Sequence, residues 1–131
     1  MDNAEEITQV EETLQEENPQ LTLLKDRIEY DANIFVDNST YEKVLNRLLD
    51  DSKYIALSLR FPYKDFSNME LPTKYNNWQL RCCEELYNAI GNQGIKHYAE
   101  NGLSWTRDSG YVSNELRGEI EPLIGYIEDN D

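Results

Sequence analysis

Apolar residues recur at helical spacing along most of the chain. Tyr41, Val44, Leu45, Leu48, Ile55 and Leu59 keep the rhythm of one helix face, interrupted at Ser52. The pattern predicts a helix over residues 40–60, about 30 Å long, that stops before Pro62. Ser39 is its expected N-cap, and Glu42 three residues on completes a capping box. Leu21, Leu24 and Ile28 predict a short helix over 21–28, while residues 34–36 are too few to assign. Pro62 opens a loop that holds Tyr63, Phe66 and Met69 and runs to Leu71. Pro72 then suits a first helical turn, where a missing N–H costs nothing.

The next segment is apolar on two faces. Tyr75, Trp78, Cys82, Leu86 and Ile90 form one stripe, and Leu80, Cys83 and Tyr87 form another. Such a helix is central and packed from two sides, one of which can meet another subunit. Gly91 and Gly94 are expected to end it. Asn101-Gly102 is the strongest hairpin signal in the chain, because a two-residue type I′ turn needs positive φ at both central positions. A β-hairpin is therefore expected over 95–106, with Leu103 and Trp105 on one face and Ser104 and Thr106 on the other. Ser113 or Asn114 should cap a short helix over 114–123, weakened by Gly118 and Pro122. The fold class expected is mainly α: a small helical bundle with a β-hairpin after the central helix and a short C-terminal helix.

Charge divides the chain further. The 131 residues carry a formal charge of −14, yet all twelve Lys and Arg lie between Lys25 and Arg117. Residues 1–18 hold seven acids and no base, and 128–131 hold three more. The body between is a mixed-charge domain of net −4. Three parts are expected: an acidic segment 1–19, unfolded or a short helix; a helical domain 20–125; and an acidic tail 126–131. Ile7, Val10 and Leu14 give the first segment one thin apolar stripe, which only a partner or neighbouring subunit would cover. No basic cluster could neutralise phosphates, so specific nucleic-acid binding is not expected. No run approaches the roughly 20 apolar residues of a membrane span, and the acidic start is unlike a secretory signal. A product of the cytoplasm is expected.

Several residues in order carry a resemblance. Glu85-Leu86-Tyr87-Asn88, Gly91 and Gly94, Glu100-Asn101-Gly102-Leu103-Ser104, Asp108-Ser109 and Glu121-Pro122 resemble the bacteriophage head–tail connector (adaptor, or head completion) family. There a helix ending Glu-Leu-Tyr-Asn leads to Gly-x-x-Gly, a Glu-Asn-Gly-Ile-Ser hairpin, an Asp or Ser turn and a short helix ending near Pro. The close match covers the second half of residues 75–125. Residues 1–18 have no counterpart, and Trp105 stands where the family has a basic residue, with Arg107 two positions on. The resemblance implies a ring of twelve subunits that docks on the portal protein and receives a tail or stopper protein, while DNA passes through without specific binding. It places the protein in the virion at the head–tail interface, after synthesis in the host cytoplasm. The implied subunit or partner contacts are Asn101, Gly102, Leu103, Ser104 and Trp105 on the hairpin. Leu123, Ile124, Tyr126 and Ile127 are added because no subunit core obviously needs them.

Candidate chemistry is thin. His97 is the single histidine, and adjacent Cys82 and Cys83 neither bridge each other nor converge on one metal ion. Asp50-Asp51 and Glu84-Glu85 read as solvated helix faces, because neighbours on a helix diverge. No catalytic residue, metal or cofactor is expected, and an enzyme is the least supported class. The alternative to a connector is an acidic DNA-mimic inhibitor of a host DNA-binding protein. Its weakness is that the acids gather at the ends rather than at phosphate-like intervals along the body.

Overall fold

The computed structural model describes residues 18–123, and every described element is a helix or a helical turn. Helix α1 spans Pro19–Arg27, α2 Asn38–Arg60, α3 Asn76–Asn101 and α4 Asn114–Gly118. Short 3-10 turns at Thr73–Tyr75, Ser104–Arg107 and Ser109–Tyr111 join them. The acidic segment 1–17 and residues 124–131 lie outside the described residues.

Local chemistry sets each start. Asn18 caps α1 through Leu21 N–H, with Pro19 in the first turn. The cap of α2 is Asp37, whose carboxylate accepts from Thr40 N–H at 2.7 Å. The expected Ser39–Glu42 capping box does not form. The helix starts earlier than that box requires, and Glu42 instead pairs with Lys25 of α1 at 2.6 Å. Ser113 caps α4 through Leu116 N–H. That helix stops at Gly118, short of the expected 123, although Ile120 beyond it remains buried.

Packing follows the apolar stripes. Val44, Leu45, Leu48 and Ile55 of α2 are fully buried against Cys82, Cys83 and Leu86 of α3 in one core. Ser52, the break in the stripe, is also fully buried; its hydroxyl bonds Leu49 O at 3.0 Å and meets Cys83 Sγ at 3.3 Å. Both apolar faces of α3 are covered inside the chain. On one side lie α1 and α2; on the other Trp78 Nε1 donates to Leu116 O of α4, and Arg81 grips Glu119 through two bonds of 2.8 Å. The two stripes before Gly91 are therefore covered mostly inside the subunit, with Tyr87 and Ile90 partly buried at the edge of the core.

The expected β-hairpin is absent: no strand forms among the described residues. Gly91 breaks α3, at φ 77° and ψ 163°, but the helix resumes and runs through Gly94 to Asn101. The reason is burial. Ile95, Tyr98 and Ala99 fall at i, i+3 and i+4 and are at most 3% exposed, so a helix buries all three where a strand would split them between faces. Asn101-Gly102 then acts as a helix stop, the other use of that dipeptide. Gly102 sits at φ 69°, ψ 173°, and its N–H bonds Tyr98 O at 2.9 Å.

Gly91 and Gly102 occupy a backbone region that is essentially glycine-only and costs other residues of order 1–3 kcal/mol. A Cβ at Gly91 would meet nothing within 4 Å, so its cost is conformational alone. Gly91→Ala is expected to lower the urea-unfolding free energy by about that amount. Gly118→Ala, also in open space but with ordinary helical backbone, should be neutral or gain about 0.4–1 kcal/mol. Equal effects of the two would contradict the backbone assignment.

Candidate interaction site at the 101–107 turn

After Gly102 the chain passes through extended Leu103 into the turn Ser104–Arg107, which lies across the middle of α2. One carboxylate holds it there. Asp51 is 8% exposed and accepts from Tyr98 Oη at 2.7 Å, Thr106 Oγ1 at 2.6 Å and Arg107 Nε at 2.9 Å. Tyr98 and Thr106 are fully buried, and half of the Arg107 side chain is exposed. The Arg107 guanidinium also lies 4.8 Å over the Tyr54 ring. Helix end, turn and α2 thus meet at one charge.

Beside this network is a cleft of about 370 Å³ lined by Arg47, Asp51, Asn101, Gly102, Leu103 and Arg107. Arg47 sits one turn before Asp51 on α2. Its Nε is buried with no hydrogen-bond partner, and a Cβ added at Gly102 would lie 2.9 Å from its Nη1. The cleft sets one satisfied carboxylate beside two guanidinium groups, of which Arg107 is already paired with it.

The predicted contact residues divide. Asn101 is exposed, and its side-chain amide meets His97 Nδ1 at 3.4 Å. Ser104 is exposed, while Gly102 and Leu103 turn inward. Trp105 is half-buried against Tyr111, rings 4.5 Å apart and tilted by 44°. Thr106, not Trp105, is the inward anchor of the turn. Leu123 stands apart, at the end of α2, where its N–H bonds Arg60 O at 2.6 Å. Ile124, Tyr126 and Ile127 lie outside the described residues.

The sequence does not single out the network of Asp51, Tyr98, Thr106 and Arg107, and Asp51 is buried where a solvated face is expected. A signal exists nonetheless. Asp51 falls three residues after Leu48 and four before Ile55, on the phase of the buried stripe. An acid there must be buried with partners. The thiols have no chemistry to offer. Burial raises both, Cys83 up to about 12, so neither is a thiolate at neutral pH. Among the described residues no group of His, Cys, Asp and Glu is placed to hold a metal ion.

Removing the shared acceptor should be felt at all its donors. Asp51→Ala is expected to cost about 2–3 kcal/mol in urea unfolding, the Arg107 share being small because its side chain is half in water. Tyr98→Phe should cost about 1–2 kcal/mol. The double variant should lose clearly less than both together, and simple additivity would dissolve the network. A pH test follows from the same phenol. Burial, then the hydrogen bond to Asp51, raises Tyr98 above its ordinary 10.0. Above pH 10.0 the unfolded chain has released a proton that the native state retains. Native stability therefore falls as pH rises through that range. Tyr98→Phe should flatten this alkaline limb; an unchanged slope would remove Tyr98 as its source.

Compared with known proteins, the chain has no match among protein-family models, curated proteins or solved structures.

Proposed function

We propose that the protein is a structural subunit of a bacteriophage head–tail connector, acting as a ring of twelve between the portal and a tail or stopper protein. The reading rests on the sequence resemblance; the segment that bears it does not form the family's hairpin, and what supports a contact role for it is its attachment to the body at Asp51. From Gly91 to Ser104 it forms one continuous element, a resumed helix, its glycine stop and a turn clamped by Asp51. That element offers Asn101, Ser104 and the Trp105–Tyr111 pair outward from a fixed base. A rigid base holding a half-exposed aromatic pair is the usual anatomy of an interaction hot spot.

The role is geometric and needs no covalent step. The ring stands in the virion, and DNA crosses its centre without being held. A net charge of −14 suits that task, because a repulsive wall does not trap a polyanion. With the two stripes of α3 before Gly91 packed mostly inside the subunit, the contact surfaces of the ring are assigned to the exterior of the 101–111 segment, to the chain ends and to the surface that receives them.

Two measurements test the reading. Particles produced without this protein, imaged at the portal vertex, should lack a ring that wild-type particles carry; an unchanged vertex would refute it. Trp105→Ala removes a ring that packs only at the surface. The purified variant is expected to keep its helical circular dichroism, while contacts weakened by about 2 kcal/mol or more leave it unable to complement assembly. A variant that complements normally would remove Trp105 from the interface.

A further inference from the structure

A second hollow lies one helical turn along α2 from the cleft at Arg47. It lies between the 34–36 segment, the first turns of α2 and the second half of α3, with a volume of about 370 Å³. Its floor is apolar: Ile34, Val36, Ile95 and Ala99. Val36 is 83% exposed, an aliphatic side chain with almost nothing over it. Lys43 and Lys96 stand on its edges. One turn along α2 from Lys43 is Arg47, where the cleft beside Asp51 begins. The two hollows share no lining residue but follow one another along α2 from Thr40 to Asp51, about 17 Å at 1.5 Å per residue, and are taken together as one groove. Lys43, Arg47 and Lys96 make no ion pair among the described residues. The acids that face the groove are Glu100, exposed on its rim, and Asp51, whose carboxylate already takes Tyr98, Thr106 and Arg107. On a chain of charge −14 this is a basic-edged apolar groove.

Residues 1–17 are its complement. They carry seven acids and no base, and Ile7, Val10 and Leu14 share one face at helical spacing. On a helix at 3.6 residues per turn, Glu6 and Glu17 flank that stripe on one side and Glu11 on the other. The stripe is about 10 Å long, which the groove accommodates. An amphipathic helix laid apolar face down would set its flanking carboxylates against the groove's basic edges.

The position of Asn18 favours a neighbour's segment over the chain's own. Asn18 opens α1, which is held through Gln20 to Asn76 O and Gln79, and through Lys25 to Glu42 of α2. Gln79 in turn donates to Leu49 O of α2, and Leu49 lies roughly 160° round that helix from Arg47. The chain therefore enters α1 on the side of α2 away from the groove. A neighbouring copy in the same orientation presents its groove to that entry. We propose that the groove edged by Lys43, Arg47 and Lys96 receives residues 1–17 of a second copy of this chain. The contact joins two different surfaces, so it repeats from copy to copy and closes into a ring when the rotation permits. It deepens the connector reading, on which it rests only for that closure. Association is read on purified protein, so either idea can fail without the other.

The test uses full-length protein and a fluorescein-labelled peptide of residues 1–17. Full chain carrying Ile7→Asp and Leu14→Asp has an impaired segment of its own and an open groove. The peptide is expected to bind it saturably by anisotropy, more weakly as salt rises. Adding Lys43→Glu and Arg47→Glu to that chain should weaken binding tenfold or more. A peptide with Glu6→Lys and Glu11→Lys should recover much of the loss on the reversed groove. Sedimentation velocity of the wild-type chain should show concentration-dependent association that the Ile7→Asp/Leu14→Asp chain lacks. Peptide binding that ignores the groove reversal, or no binding, overturns the groove. Specific peptide binding with a wild-type chain that stays monomeric at every concentration overturns the second copy in favour of the chain's own segment. Circular dichroism of each variant guards against misfolding. Should the groove substitutions unfold the chain, wild-type protein cross-linked at Lys43 and Lys96 to the acids of residues 1–17 decides the matter by peptide mapping. Links between isotopically distinct copies are expected, and their absence refutes the proposal.

Discussion

The carboxylate of Asp51 is the point on which the second half of the molecule depends. An acid taken out of water is costly unless donors replace the water it loses. Its donors come from two places, Tyr98 on the resumed part of α3 and Thr106 with Arg107 on the turn that follows. Neither can be displaced without leaving the charge short of partners. The Thr106 hydroxyl reaches Leu103 O as well, and its single proton serves the charged acceptor. A segment of 3-10 turns, with few ladder bonds of its own, thus acquires a fixed position across α2.

Two glycines make that position reachable. Gly91 divides α3 into a first part that packs on α1, α2 and α4 and a second that sends Ile95 and Ala99 toward Ile34 and Val36. Gly102 releases the chain from the helix directly over Arg47. The basic-edged groove is a product of both: without the break and resumption, Lys96 would not face Lys43 across an apolar floor.

Ion pairing inside the body sharpens the contrast between middle and ends. Lys25–Glu42, Arg27–Glu84 and Arg81–Glu119 tie α1 and the end of α4 to the two long helices at 2.6–2.9 Å. Each is open to water and adds little stability. Their effect is on what remains. Lys43, Arg47 and Lys96, which make no ion pair among the described residues, collect on one face, while ten acids of the chain fall in its ends.

The sequence by itself determined the long helices. Wherever apolar residues held one phase over three or more turns, as from Tyr41 to Leu59 and from Tyr75 to Ile90, burial and local preference agreed. It also placed a cap at Ser113 or Asn114 for a last helix, where the structure uses Ser113, and read Cys82 and Cys83 as packing residues. It failed where one local signal has two structural uses. Asn-Gly suits a type I′ turn and a helix stop equally, and only the burial of Ile95, Tyr98 and Ala99 selected the stop. The capping box at Ser39 lost to Asp37 because Glu42 has a better partner in Lys25, which comes within reach only once α1 is docked. Asp51 followed the buried phase, yet its donors lie 47 to 56 positions away, so its role existed only after the chain had folded. Tertiary structure alone decided which polar residues became core, because a buried charge is tolerable only when distant donors arrive together.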